Sequence, residues 1–193
     1  MLERFSLAGN GPVLRGGRVY LRPAQAGDWA AWARLRAESR EYLRPWEPAW
    51  PADALTRTAF RRRLRHHQRE AREETGFAFL VFRGIDDVLV GGVTLSGIRR
   101  GVAQSATLGY WMGRAYAGRG YMLDALRTTL SFAFGQLRLH RLEAATLEEN
   151  ERSRKLLRGL GFSEEGRARG YLCIDGVWRD HVLYGLLAGD PRP

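Results

Sequence analysis

The 193-residue chain predicts a mixed α+β domain, and three observations carry that prediction. A β-rich middle reads as several antiparallel strands in succession. A glycine loop and a helix-spaced segment follow it. The C-terminal part closes on a hairpin pattern around Asp175-Gly176. Strands and helices do not alternate one for one, so a doubly wound nucleotide-binding sheet is not expected.

Taken in order, residues 1–17 are glycine-rich and aperiodic and read as a flexible lead-in. Arg18-Val19-Tyr20-Leu21-Arg22 alternates and stops at Pro23, which suits a first strand. Asp28 is placed to cap a helix running to about Glu38, with Trp29, Trp32, Ala33 and Leu35 on one side. Arg44-Pro45-Trp46-Glu47-Pro48 breaks it into a rigid loop. A second helix is expected from about Ala54 to Glu73, with Leu55, Phe60 and Leu64 on one face and arginines around the rest. Strands follow over Phe77–Phe82, Val88–Leu95 and Ala106–Met112, the first two joined at Asp86-Asp87. Gly113–Gly120 is a loop. Leu123, Leu126, Leu130, Phe134 and Leu137 mark a helix, and Leu142–Leu147 a short strand. Glu151–Leu160 is a helix with Gly161 as its C-terminal signal. Gly170–Ile174 and Val177–Leu186 form the hairpin, with Asp-Gly as the turn. The domain spans 18–187, and 188–193 read as a tail.

Composition narrows the class. Hydrophobic residues are 45% of the chain and aromatics 11%, enough for a core without disulfides or metal. Cys173 is the only cysteine, which excludes a disulfide framework and fits a reducing compartment. No run of 18 apolar residues exists, and Met1–Arg15 lacks the apolar stretch of a secretory signal, so the cytoplasm is expected and a membrane is not. The net charge is +10, and Lys155 is the only lysine. Genomic arginine bias explains such a balance; so does a polyanionic partner such as a phosphate-rich cofactor, an acidic peptide or RNA.

Two segments carry chemistry. The first is Gly118-Arg119-Gly120-Tyr121-Met122, between a strand and a helix. Glycines allow close backbone approach, and the helix start offers free N–H groups and a positive dipole end, a combination that suits a pyrophosphate. No Gly-Lys-Ser/Thr follows, so this is not a Walker loop, and the dinucleotide spacing fails at Leu123. The second is Asn150-Glu151-Arg152-Ser153 leading through Leu156, Leu157 and Leu160 to Gly161-Phe162. A capped amphipathic helix accounts for Asn150 but not for a serine at that spacing together with the Gly-Phe ending.

The pair resembles the GNAT superfamily of N-acetyltransferases, whose loop reads Gln/Arg-x-x-Gly-x-Gly/Ala and whose later helix reads Asn-x-x-Ser and ends in Gly-Phe. Ala117 departs from the usual Gln or Arg, and Met122 from the small last residue. Met in that place looks like the ribosomal-protein-alanine N-acetyltransferase branch. So do Leu43-Arg44-Pro45-Trp46-Glu47-Pro48, Leu108-Gly109-Tyr110-Trp111 and Tyr171 through Leu183, and the likeness covers residues 18–187.

The resemblance implies a mostly antiparallel sheet, splayed at two parallel cofactor strands and flanked by about four helices. It implies acetyl-CoA as cosubstrate and no metal. Backbone groups at Trp111 and Met112 would align pantetheine, and an amide near Met112 would polarise the thioester carbonyl. Amides of Gly118, Arg119, Gly120, Tyr121 and Met122 would hold the pyrophosphate, and Asn150 the pantetheine arm. Ser153 would protonate or stabilise the departing thiolate, the rival reading being a helix-turn hydroxyl bonded to backbone. The carboxylate that related enzymes place just before the hairpin tyrosine is Gly170 here, so Glu47 stands in as candidate base, with Trp46, Glu47 and Tyr171 on the acceptor side.

The implied reaction is acetyl transfer by direct attack of a primary amine, foremost a protein N-terminal α-amine. The competing readings are a small amine (polyamine, aminoglycoside or amino acid) and a non-catalytic module that docks on RNA or ribosome. The Arg61–Arg72 segment, with His66 and His67, is a solvated helix face or a ribosomal contact; adjacent histidines on a helix diverge, which argues against zinc. Monomer and homodimer are both compatible with the sequence.

Overall fold

The computed structural model describes residues 11–191. Eight strands share one sheet: β1 Leu14–Gly16, β2 Val19–Arg22, β3 Phe77–Arg83, β4 Leu89–Arg99, β5 Ser105–Met112, β6 Arg141–Thr146, β7 Ser163–Ile174 and β8 Val177–Leu187. Their spatial order is β1-β2-β3-β4-β5-β6-β8-β7, with β5–β6 the one parallel pair among the described residues. Five α-helices flank the sheet: α1 Trp29–Glu38, α2 Arg40–Leu43, α3 Arg57–Arg72, α4 Tyr121–Ser131 and α5 Glu151–Arg158. The fifth beyond the expected four is the single turn α2, formed where Arg44-Pro45 ends the first helix in two steps.

The middle of the sheet is apolar on both faces. Phe79 and Val81 of β3 point into a core built with α4 and α5, through Met122, Ala125, Leu126, Leu130, Leu157 and Leu160. Leu80 and Phe82, one residue out of phase, point into a second core with Trp32 and Leu35 of α1 and Phe60 of α3. Both cores meet the strands that lead to the glycine loop, so the site rests on packed elements.

Helix ends follow their sequence signals with some changes. Asp28 does not cap α1 with its side chain. Its carboxylate accepts from the Gln25 amide at 2.7 Å and from both Arg22 amines at 2.7 Å, because a short 3-10 turn, Ala26–Asp28, precedes the helix. Thr56 caps α3, its hydroxyl accepting from the Ala59 amide at 3.2 Å. At the end of α5 the Phe162 amide bonds the Leu157 carbonyl and the Gly161 amide the Arg158 carbonyl, with Gly161 at φ +91°. That is a Schellman close, and it gives the Gly-Phe ending a local structural reason. The expected 123–137 helix begins at Tyr121 and ends in a π turn, Phe132–Gln136.

Three boundaries differ from expectation. The lead-in of residues 1–17 begins outside the described residues, and at its described end Leu14–Gly16 is a strand, because Gly17 at φ +58° turns it back onto β2. β7 starts at Ser163, well before Gly170; its outer half is exposed and bulged, with register shifts at Glu164/Gly166 and Ala168/Leu172, so no alternation marks it. The tail read for 188–193 is tied back by Ala188 N–H to the His140 carbonyl at 2.9 Å and Leu187 N–H to Asp190 at 2.8 Å; residues 192–193 lie outside the described residues. Among the described residues no helix is long and apolar enough to cross a membrane.

Candidate active site

The site begins with a failure of pairing. β5 and β6 are joined only at Ser105↔Arg141, Ala106↔Leu142 and Thr107↔Glu143. Beyond that, Leu108–Met112 follows β4 and Ala144–Thr146 follows β8, so the two strands part. The edges facing the gap carry backbone donors and acceptors without a strand partner, and an extended ligand can satisfy them. Two absent side chains shape the β5 wall. A Cβ on Gly92 would meet the Trp111 indole nitrogen at 2.4 Å, and one on Gly113 would meet Leu35 at 2.4 Å.

The glycine loop lies at the mouth of this gap. The Gly113 amide bonds the Val90 carbonyl at 2.8 Å, and the buried Ser39 hydroxyl accepts from the Arg114 amide at 3.0 Å, fixing the loop to β4 and α1. A 3-10 turn, Arg114–Tyr116, leads to Gly118 at φ +74° and Gly120 at φ +80°, the latter at the N-cap of α4. Both angles favour glycine. Space is open where a Gly118 side chain would stand. The amides of Gly118–Met122 thus surround the N-terminus of an 11-residue helix, a fitting anion cradle. Arg18, unforeseen in the sequence, braces it. Its Nε donates to Asp124 at 2.8 Å and its Nη1 to the Arg119 carbonyl at 3.0 Å, and its guanidinium covers the Tyr121 ring at 5.4 Å.

On the other side of the gap, Asn150 caps α5, its Oδ1 accepting from the Ser153 amide at 3.2 Å. That leaves the Asn150 amide nitrogen as the group free to face a ligand. The Ser153 hydroxyl does not turn back on its own helix. It lies 2.7 Å from the Tyr110 hydroxyl, joining α5 to β5. Burial pushes the Tyr110 phenol up to about 12, against the lowering effect of Ser153, so it stays protonated at neutral pH. A phenol donating to Ser153 leaves the serine's own proton directed elsewhere.

Beside Tyr110 and Trp111 opens a cavity of about 800 Å³, walled by α1, residues 47–51 and α3. Glu47 is on its wall and is occupied: Arg36 donates to both of its oxygens at 2.8 and 2.6 Å, and the Trp50 indole donates at 3.0 Å. Arg36 lies between Trp50 and Trp111, at 4.3 and 4.8 Å from their ring centres. Arg63 and His67 face the cavity from α3. Burial, then the charges of Arg63 and His66, push the His67 imidazole down to about 4, so it is neutral.

A strand gap, a helix-terminal anion cradle and a hydroxyl pair between them form the arrangement in which a thioester cosubstrate can be held. The family profile described as "Acetyltransferase (GNAT) domain" matches residues 18–163. This chain is a GNAT acetyltransferase. It is 34% identical over 168 residues to the [Ribosomal protein uS5]-alanine N-acetyltransferase of Escherichia coli, covering 86% of this chain and 87% of that protein. It is 34% identical over 178 residues to the probable N-acetyltransferase YjcK of Bacillus subtilis, covering 92% and 98%. Among solved structures, Mycobacterium smegmatis RimJ in complex with CoA-disulfide superposes with a TM-score of 0.85 at 35% identity, covering 92% of this chain and 86% of that one. The ribosomal-protein-S5-alanine acetyltransferase of Vibrio fischeri gives 0.86 at 30%, covering 95% and 100%. The protein is accordingly an acetyl-CoA-dependent N-acetyltransferase with the sheet expected of its family.

Within this GNAT frame Trp111 and Met112 lie at the parted strand, Gly118 to Met122 at the helix start, and Asn150 and Ser153 at the start of α5. The acceptor residues come together only in part. Glu47 lines the cavity, but Trp46 is half-buried in a 3-10 turn, Arg44–Trp46, outside the wall, where Trp50 and Trp32 stand instead. Tyr171 is 46% exposed and packs on His181 at 5.7 Å, because the bulge at Gly170, φ +52°, takes it out of the ladder. Cys173 is a half-buried thiol on the hairpin. Among the described residues no cluster of His, Cys, Asp and Glu suits a metal. No sequence motif singles out Tyr110, Arg36 or Arg18, whose partners Ser153, Glu47 and Asp124 stand 43, 11 and 106 residues away.

Proposed function

We propose that this enzyme acetylates the N-terminal α-amine of a protein, with Ser153 as the proton donor to the leaving thiolate, in the cytoplasm. One observation carries the acceptor reading: among the described residues, Glu47 is the only carboxylate on the cavity wall, and Arg36 and Trp50 occupy it. The cavity therefore offers no free base and no anionic bed for a polycation. A protein α-amine, with an ordinary pKa of about 7.7–8.0, is about 10–20% neutral at pH 7, whereas a lysine-type amine near 10.4 is about 0.04% neutral. The first can attack without an enzyme carboxylate; the second cannot do so efficiently. The names of the relatives support the same acceptor class.

In this reading acetyl-CoA supplies the thioester carbon, held with its pyrophosphate on the amides of Gly118–Met122 and its pantetheine along Trp111–Met112 and the Asn150 amide. The acceptor nitrogen forms the new C–N bond as the C–S bond breaks. The amine's proton leaves to water, and Ser153 gives its proton to sulfur. Tyr110, protonated and 2.7 Å away, orients the serine, which regains its proton from solvent. Glu47 holds Arg36 and the acceptor loop in place. The exposed Arg61, Arg65, Arg69 and Arg72 of α3 give a ribosomal substrate an electrostatic approach.

The test is CoA thiol release with a panel of acceptors. Peptides beginning with Ala or Ser should exceed polyamines, aminoglycosides and free amino acids in kcat/KM by at least about tenfold. A small amine turned over faster than every peptide would overturn the reading.

A further inference from the structure

The acceptor cavity contains five basic side chains, and their partners can be followed one by one. Arg36 is bidentate on Glu47. Arg62 bridges Asp53 at 3.3 Å, and His66 pairs with Glu70 at 3.3 Å. His67 is neutral. Arg63 remains: among the described residues no carboxylate lies within 4.0 Å of it, and its guanidinium carbon stands 5.7 Å from the centre of the Trp32 ring. The place is a poor one for a lone cation. Surrounding protein and the charge of Arg36 both lower its ordinary pKa, more than Glu47 raises it. A guanidinium cannot relieve this by losing its proton. Arg63 is nevertheless open to solvent through the cavity, so a ligand can reach it.

We propose that Arg63 forms a carboxylate subsite in the acceptor cavity and selects acceptors with an acidic side chain close behind the reactive amine. The proposal rests on the N-terminal acceptor reading above. The amine must reach the parted strand at Tyr110 and Trp111, while Arg63 stands on the α3 wall of the same cavity. A cavity of about 800 Å³ is on the order of 11 Å across, or about three extended residues. The acid therefore belongs at the second to fourth position. There it meets a planar fork suited to bidentate carboxylate binding.

The test uses C-terminally amidated hexapeptides beginning with Ala that differ only in Glu, Gln or Lys at positions two to four. Amidation removes the other carboxylate that could reach the subsite. With the wild-type enzyme, the best-placed Glu peptide should exceed its Gln counterpart by about 10- to 100-fold in kcat/KM, mostly through KM. In Arg63→Met the two should fall within about threefold of each other, and Arg63→Glu should favour the Lys peptide. Equal wild-type kcat/KM for Glu and Gln at every position would overturn the subsite, and this comparison needs no variant to fold. A Glu preference that survives in Arg63→Met would also overturn it. Release from small amines but from none of the peptides would instead overturn the acceptor reading, and the subsite with it.

Discussion

Ser153 is held at two points. Its amide is held by the Asn150 side chain, and its hydroxyl reaches the Tyr110 phenol rather than a helix carbonyl. A serine placed merely to close a helix turn would make the opposite choice. Ser153→Ala should therefore lower kcat by about 100-fold, the lower range for loss of a proton donor, with the KM for acetyl-CoA changed less than about threefold. Tyr110→Phe keeps the ring and loses the orienting hydroxyl, so a smaller fall, about tenfold, is expected. Steady-state kinetics in acetyl-CoA at saturating acceptor check both; an unchanged kcat in Ser153→Ala would remove its role. The sequence made Ser153 legible because its spacing from Asn150 is local. Tyr110 was legible only as part of a strand, since its partner stands 43 residues away.

At the scale of elements, α3 is a helix of two characters. Its outer face is arginine. Its inner face puts Phe60 into the second core and His67 against the cavity. His67 titrates near 6.5 in an unfolded chain and about 4 in the folded one, chiefly because burial disfavours its charged form. Between those values the unfolded chain binds more protons. The stability due to the neutral imidazole is therefore complete above about pH 6.5 and falls as pH drops toward 4, by on the order of 2 kcal/mol once solvent screening is allowed for. Urea midpoints at pH 7 and 4.5 should draw together in His67→Gln relative to wild type; parallel shifts in the two proteins would contradict this. The amphipathic spacing of α3 was readable, and so were β3 to β6, because burial imposes periodicity. β7 was not, because its outer half buries little and its bulges break the alternation. The acceptor cavity was not readable either, since α1, residues 47–51, α3 and β5 meet there only in the folded chain.

For the whole molecule the net charge is +10, and arginines stand at both the glycine loop and the cavity. Arg18 and the helix-terminal amides sit at the donor cradle, while Arg36, Arg63 and the outer face of α3 surround the acceptor side. A donor site that takes a polyanionic cosubstrate and an acceptor site that carries no free carboxylate both fit transfer to an α-amine that loses its proton readily. The most direct measurement is mass-spectrometric location of the acetyl group on an Ala-initiated peptide that also contains an internal lysine, after incubation with enzyme and acetyl-CoA. The acetyl group should be found on the N-terminal nitrogen, and the same peptide with a blocked N-terminus should remain unmodified. Acetylation of the lysine at a comparable rate, in either peptide, would contradict the account.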